Sequence, residues 1–291
     1  MNRLKLVIVG ALLLLGLWRP ALPTHAQEAR PRKILVVTHS AGFRHSVVTR
    51  KTTEQLNLVE QIVEMLGKNS GAFETAFVYS AEECRQVTPE VLNSYDGVFF
   101  FTSGELPFPE ETKKALIEFV RIGKAFVAAH NTTNTFTSFP EFGEMIGGYF
   151  DGHPWNQKAR IIVEDRSHPA TQHLGDAFET TDAIYQFKAP WSQQNVRVLL
   201  SLDNSSVDLN KRGVHRTDKD FALAWVREYG KGRVFYSALG HFEANWQDKR
   251  FQQHLLGGIL WALGDLPGDA TPRPRPEETA RPESRQPETH R

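Results

Sequence analysis

Three short stretches of this chain are apolar without a break: Ile34-Leu-Val-Val37, Val98-Phe-Phe-Phe101 and Ala125-Phe-Val-Ala-Ala129. A strand with one wet face alternates in polarity. An unbroken run suits a strand covered on both faces, as in a parallel sheet held between two layers of helices. Residues 33–38, 97–102 and 125–129 are therefore expected to be strands, with a further strand at 75–79.

The segments between them repeat at helical spacing. Residues 47–66 carry Leu56, Val59, Ile62, Val63 and Leu66 on one face. Pro89 suits the first turn of a short helix over 88–93. Residues 109–122 form a longer helix, with Glu110 and Glu111 where the helix dipole favours anions. Strands alternating with helical crossovers predict an α/β fold: a doubly wound, mostly parallel, flavodoxin-like sheet with helices on both faces.

Beyond Gly147-Gly148 the pattern turns to strands separated by turns, at 160–163, 196–202, 221–228 and 233–238. An apolar helix follows over 246–263, with Phe251, Leu255, Ile259 and Ala262 on one stripe. No linker divides the chain, so residues 32–264 are expected to be a single domain on one mixed sheet.

The two ends differ from this core. Arg3 and Lys5 precede an apolar run over 6–18, and Thr24-His25-Ala26 places small residues at a cleavage site, so residues 1–26 read as a signal peptide. The run is short for a bilayer, which needs about 20 residues. A periplasmic or secreted protein is expected, touching the membrane only through that segment during export. An uncleaved anchor is the alternative. Residues 267–291 contain six prolines among Arg and Glu, a composition that buries too little surface to offset ordering, and are expected to be a disordered tail.

Composition narrows the chemistry. The 34 basic and 34 acidic residues cancel, which removes general polyanion attraction and argues against a nucleic-acid partner. The single cysteine, Cys84, excludes an intramolecular disulfide and any multi-cysteine metal site. Its neighbours Glu82 and Glu83 disfavour a thiolate nucleophile. Ser103 lacks the Gly-x-Ser-x-Gly elbow of α/β hydrolases. No glycine fingerprint for a dinucleotide follows the first strand.

The eleven histidines are the excess, and three follow strand ends. The first strand runs into Thr38-His39-Ser40-Ala-Gly42-Phe-Arg44-His45, the fourth into His130-Asn131, and a late one into Leu239-Gly240-His241. Glu105 follows the third strand. In open α/β sheets this edge is where ligands bind. The Gly-rich stretch through Asp151-Gly-His153-Pro-Trp155 can fold over it. Imidazoles with a carboxylate suit a divalent ion such as zinc, and equally suit proton transfer near neutral pH. Trp155, Tyr185, Trp191 and Trp246 are either core or stacking platforms for sugar rings.

Four motifs carry a resemblance. They are His130-Asn-Thr-Thr-Asn-Thr-Phe136, the stretch from Phe139-Pro-Glu-Phe to His153-Pro-Trp155, Ser167-His-Pro169, and Gly230-Lys-Gly-Arg-Val-Phe-Tyr-Ser-Ala-Leu-Gly-His241. In this order they resemble the trehalose-utilisation (ThuA-like) family over residues 33–263. The resemblance implies a fold like class I glutamine amidotransferases and a role in carbohydrate metabolism. In that superfamily the nucleophilic cysteine sits on a tight turn after a central strand. The matching turn here is Ala129-His130-Asn131, so cysteine-dependent glutamine hydrolysis is not expected. At Thr181-Asp182-Ala183-Ile184-Tyr185 the chain departs from the family pattern, which favours Asp-Glu before the aromatic stretch. Ala183 removes a carboxylate and Asp182 remains.

The expectation is thus an exported protein acting on a small-molecule carbohydrate, a sugar or an oxidised (keto) derivative, by an isomerase, lyase or hydrolase step. His39, His130, His241 and Glu105 would be catalytic, with the three histidines as metal ligands. His153, Trp155, Asn131, Asp182 and Tyr185 would bind the ligand. A non-catalytic carbohydrate-binding protein using the same cleft is the alternative, and a scaffold engaging partners through its tail is a third.

Overall fold

The computed structural model describes residues 30–273. The expected signal segment, 1–26, lies outside the described residues, as does 274–291 of the expected tail.

Strand β1 (Arg32–Val37) is the first apolar run, buried from Ile34 onward. A 3₁₀ turn at Ser46–Val48 follows, and the first helix, α1, is Leu58–Ser70. Helical spacing alone placed its start near residue 47. The capping box starts it later: the Asn57 side chain accepts from Glu60 N, and the Glu60 carboxylate accepts from Asn57 N. Glu60 is buried because Arg50 pairs with it at 2.8 Å and the Thr38 hydroxyl donates to it.

The chain continues through β2 (Phe73–Val78), α2 (Ala81–Gln86), α3 (Pro89–Asn93), β3 (Gly97–Phe100), α4 (Glu110–Arg121), β4 (Ala125–Ala129) and α5 (Pro140–Ile146). Next come β5 (Tyr149–Phe150), β6 (Trp155–Val163), β7 (Ala177–Ile184), β8 (Phe187–Lys188), β9 (Arg197–Leu202), β10 (Ala222–Tyr229) and β11 (Gly232–Ser237). The expected helix over 246–263 is two, α6 (Glu243–Gln247) and α7 (Lys249–Ala262), separated at Asp248, whose side chain caps α7.

Nine strands form one sheet in the order β2-β1-β3-β4-β11-β10-β9-β6-β7. The first five run parallel; the last four continue antiparallel. Helices α1, α6 and α7 pack together, while α4 packs with α3 and α5, giving the α/β fold that the apolar runs predict. The middle strands β3 and β4 are wholly buried. Strand β7 was not foreseen: as an edge strand it mixes Glu, Thr and Asp with apolar residues and is buried only at its last three positions.

The folded unit runs past the expected boundary at 264. Arg197 pairs with both Asp165 and Asp269, and Trp261 Nε1 donates to Gly268 O. Residues 265–273 thus pack on the folded unit: Asp265 pairs with Arg32 of β1, and Asp269 and Thr271 reach Arg197 of β9. No helix among the described residues is long and apolar enough to cross a membrane.

Candidate functional site

The parallel strands β1, β3, β4 and β11 deliver their carboxyl ends to one edge, and His130 lies at its centre. It is the first residue after β4, opens a turn of 3₁₀ helix (His130–Asn134), and has φ 47°. That left-handed conformation costs a non-glycine residue about 1–3 kcal/mol. Surrounding bonds hold it: the Tyr236 hydroxyl donates to His130 O at 2.6 Å, and Nδ1 lies 2.7 Å from Ala238 O. A carbonyl only accepts, so Nδ1 carries the proton and Nε2 the lone pair.

Three groups face that lone pair. The Tyr185 hydroxyl is 2.8 Å away, His241 Nδ1 3.1 Å and His45 Nε2 3.2 Å. His241 follows β11, and its loop is pinned from below by Asp182 of β7. The Asp182 carboxylate accepts from Gly240 N, His241 N and Ala183 N at 2.8–3.1 Å. His45 arrives on the loop after β1. Ala41 N and Gly42 N both donate to Ser103 O, and Ser103 Oγ donates to Phe43 O, which ties that loop to the end of β3.

Above this floor opens a pocket of about 320 Å³. Its walls are aromatic (Phe43, Phe150 and Tyr185) and amide (Asn131, Asn134 and Asn156), with His153 at the mouth. The His153 ring is exposed and stacks on Tyr185 at 5.9 Å. Phe43, 66% exposed, meets His45 edge-on.

Of the residues expected from the sequence, His130, His241, Asn131, Tyr185 and His153 meet here, with Asp182 directly beneath. Three lie elsewhere. His39 sits at the end of β1 but turns toward the β2 side, its Nδ1 3.2 Å from Tyr79 O; His45, six residues on, takes its place. Glu105 is exposed and accepts from Ser138 N and the Thr137 hydroxyl, capping a neighbouring loop. Trp155 is fully buried, its Nε1 donating to Asp208 O and its ring packed on Phe221. It is core. Phe43, Asn134, Phe150 and Asn156 were not anticipated. The Ser40-Ala-Gly42 turn signal was the one cue that the chain doubles back before His45.

Burial keeps the imidazoles neutral. It pushes His45 down to about 3, helped by repulsion from His241 and His153. Burial and the neighbouring His45 hold His130 well below the usual histidine range, and burial lowers His241. Tyr185 is pushed well above its ordinary value by burial, so it keeps its proton. Burial raises Asp182 to about 7 against the pull of its three N–H donors. Cys84 lies away from the site, pushed up to about 12 by burial and then by Glu83, and is no nucleophile. The floor therefore offers three neutral imidazoles and one protonated phenol. Such a set can accept and donate protons, or ligate a cation.

The trehalose-utilisation (ThuA) family model matches residues 33–262. This chain belongs to the ThuA family. Among solved structures, a ThuA-like protein from Bacteroides uniformis ATCC 8492 is 22% identical with a TM-score of 0.65, over 83% of this chain and 95% of that one. Another from Parabacteroides merdae ATCC 43184 is 23% identical, TM-score 0.60, over 81% and 91%. Cytoplasmic protein STM1381 from Salmonella typhimurium LT2, at 13% identity and TM-score 0.53 over 79% and 99%, is similar in fold. No curated protein matches the chain.

Proposed function

We propose that this ThuA-family chain is an exported enzyme that acts on a sugar or an oxidised (keto) sugar derivative in the pocket above His130. The observation that carries the reading is the convergence of Tyr185, His45 and His241 on His130 Nε2, at the base of an aromatic- and amide-walled pocket. Sugar rings have apolar faces that pack on aromatic side chains. Their hydroxyls both donate and accept, as Asn131, Asn134 and Asn156 do.

A neutral imidazole beside a protonated phenol supports proton transfer on such a ring. In a keto sugar the C–H next to the carbonyl is the acidic one. A His lone pair can remove that proton while a tyrosine hydroxyl donates to the carbonyl oxygen, a pairing that suits isomerase and lyase steps. A hydrolase step would use the same groups on water and the leaving oxygen.

The test is a turnover screen of sugars and oxidised disaccharides with the mature protein and its His130→Gln variant, alongside calorimetric titration of each sugar. Turnover by the wild type that falls at least roughly hundredfold in His130→Gln, with binding retained, supports the reading. Binding without turnover in the wild type overturns it in favour of a carbohydrate-binding protein.

A further inference from the structure

Hydrogen bonding alone does not account for the floor of the pocket. With its Nδ1 proton on Ala238 O, His130 has one lone pair, on Nε2. An imidazole nitrogen accepts one good in-plane hydrogen bond, and the Tyr185 hydroxyl, at 2.8 Å, is the shortest contact. His241 Nδ1 and His45 Nε2 nevertheless stand 3.1 and 3.2 Å from the same atom. Two further ring nitrogens thus crowd a lone pair already engaged, in a place where His130 is fully buried and His45 nearly so. A cation shared by all three rings would relieve that crowding.

We propose that His45, His130 and His241 form a binding site for one divalent transition-metal ion, with zinc the best match. Tetrahedral zinc with Zn–N near 2.0–2.1 Å sets its ligand nitrogens about 3.3 Å apart. Two of the three separations here are 3.1 and 3.2 Å, and all three ligand atoms lie within 4.8 Å of one another. Three imidazoles with no carboxylate among them disfavour magnesium and calcium, which take oxygen ligands. Three protein ligands beneath an open pocket leave the remaining coordination position facing whatever enters it.

The supporting groups differ from ring to ring. The Ala238 carbonyl accepts from His130 Nδ1 and so orients the ring with Nε2 toward the ion, as a backbone carbonyl does for many metal-bound histidines. Asp182 fixes His241 through its backbone. His45 Nδ1 is buried with no partner, so His45 is the least supported ligand. His39 is held apart on Tyr79 O.

The inference concerns the same pocket as the proposed function but has its own readout. Mature protein freed of any affinity tag is stripped with chelator and titrated with Zn²⁺ by calorimetry, and with Co²⁺ by visible absorption. One equivalent of Zn²⁺ is expected at micromolar affinity or tighter, and Co²⁺ should give the intense bands of a four-coordinate ion. His130→Gln and His241→Gln should each weaken Zn²⁺ binding by roughly a hundredfold or more, His45→Gln by at least roughly tenfold, and His39→Gln not at all. The wild-type cobalt spectrum needs no variant, and circular dichroism confirms that each variant is folded. No saturable Zn²⁺ binding, or binding indifferent to the three substitutions, or equal loss in His39→Gln, overturns the site. Metal uptake without sugar turnover sustains this inference and removes the enzymatic reading. Turnover by a protein that takes up no Zn²⁺ does the reverse.

Discussion

The Tyr185 hydroxyl donates across 2.8 Å to His130 Nε2. The two residues come from opposite parts of the sheet, His130 from the end of parallel β4 and Tyr185 from the end of antiparallel β7. Their meeting requires the end of β7, the edge strand of the sheet, to lie by the carboxyl ends of the parallel strands, where Asp182 of the same strand accepts from Gly240 N and His241 N. The antiparallel half of the sheet is therefore part of the site as well as its scaffold.

Tyr185→Phe removes that donor and keeps the ring that packs on Phe150 and His130. One hydrogen bond of this kind is worth about 1 kcal/mol, so melting should move by only a few degrees. On any sugar the wild type turns over, kcat should fall by roughly a hundredfold, the size of a lost proton donor, with sugar affinity nearly unchanged. Steady-state kinetics with calorimetry decides it. A variant as active as wild type would leave Tyr185 a purely structural role.

Residues 265–273 are expected to matter to stability. Ending the chain at 264 takes away Asp269 and Thr271 O, both partners of buried Arg197 Nη1, and Gly268 O, the partner of Trp261 Nε1. An orphaned buried donor costs about 1–3 kcal/mol. A chain ending at 264 should therefore melt roughly 6–12 °C below one ending at 273, for a loss of about 3 kcal/mol. Equal melting temperatures would mean that these contacts contribute nothing measurable.

Acid should unfold the protein early. His254 is buried between Ala170 O and Ser237 Oγ, and burial pushes it down to about 3. His168 is likewise pushed down to about 4 by burial. In the unfolded chain both take up protons near pH 6.5. Each therefore withdraws about 1.4 kcal/mol per pH unit below 6.5, until its folded value is reached. Asp165 adds a loss further down: burial raises it, but hydrogen bonds from Ser167 and Arg197 outweigh this and bring it to about 2, so its contribution fades as pH falls from about 4 toward 2. Urea midpoints between pH 7.5 and 5 should fall steeply, and less steeply by about one proton in His254→Gln. A flat profile, or an unchanged slope in the variant, contradicts the assignment.

How much of this was legible in the sequence depends on whether a feature is local. Residues 125–129 form an unbroken apolar run, and β4 has those limits. His130 and His241 follow directly from strand ends, so topology alone places them together. His39 also follows a strand end, yet its strand has β2 as an outer neighbour, and the ring satisfies Tyr79 O on that side. His45 reaches the centre because its loop crosses to β3, a contact between residues about 60 positions apart. Glu105 turned to cap a loop for a similar reason: its partners at 137 and 138 are unseen from its own segment. Tyr185 was readable as an aromatic among polar residues, but not as the partner of His130.

Gly104 is the position on which that crossing depends. It follows Ser103 with φ +76°, and a Cβ built there would lie 2.5 Å from Gly42 N and 3.0 Å from the Ala41 carbonyl carbon. Both atoms are backbone of the loop that carries His45, so they cannot swing aside as a side-chain tip would. Gly104→Ala must either force that loop off the end of β3, breaking the Ala41 and Gly42 bonds to Ser103 O, or strain its own left-handed backbone. We expect about 2–4 kcal/mol of lost stability from the two effects together. Because the loop moves as a unit, Phe43 and His45 should leave the pocket with it, so sugar and Zn²⁺ affinity should fall in the same variant. Ala introduced at Gly175, which also has positive φ (+71°) but nothing within 4 Å of an added Cβ, should cost about 1 kcal/mol of backbone strain and leave both affinities intact. If the two variants behave alike, the close approach of Gly104 to Gly42 does not position His45.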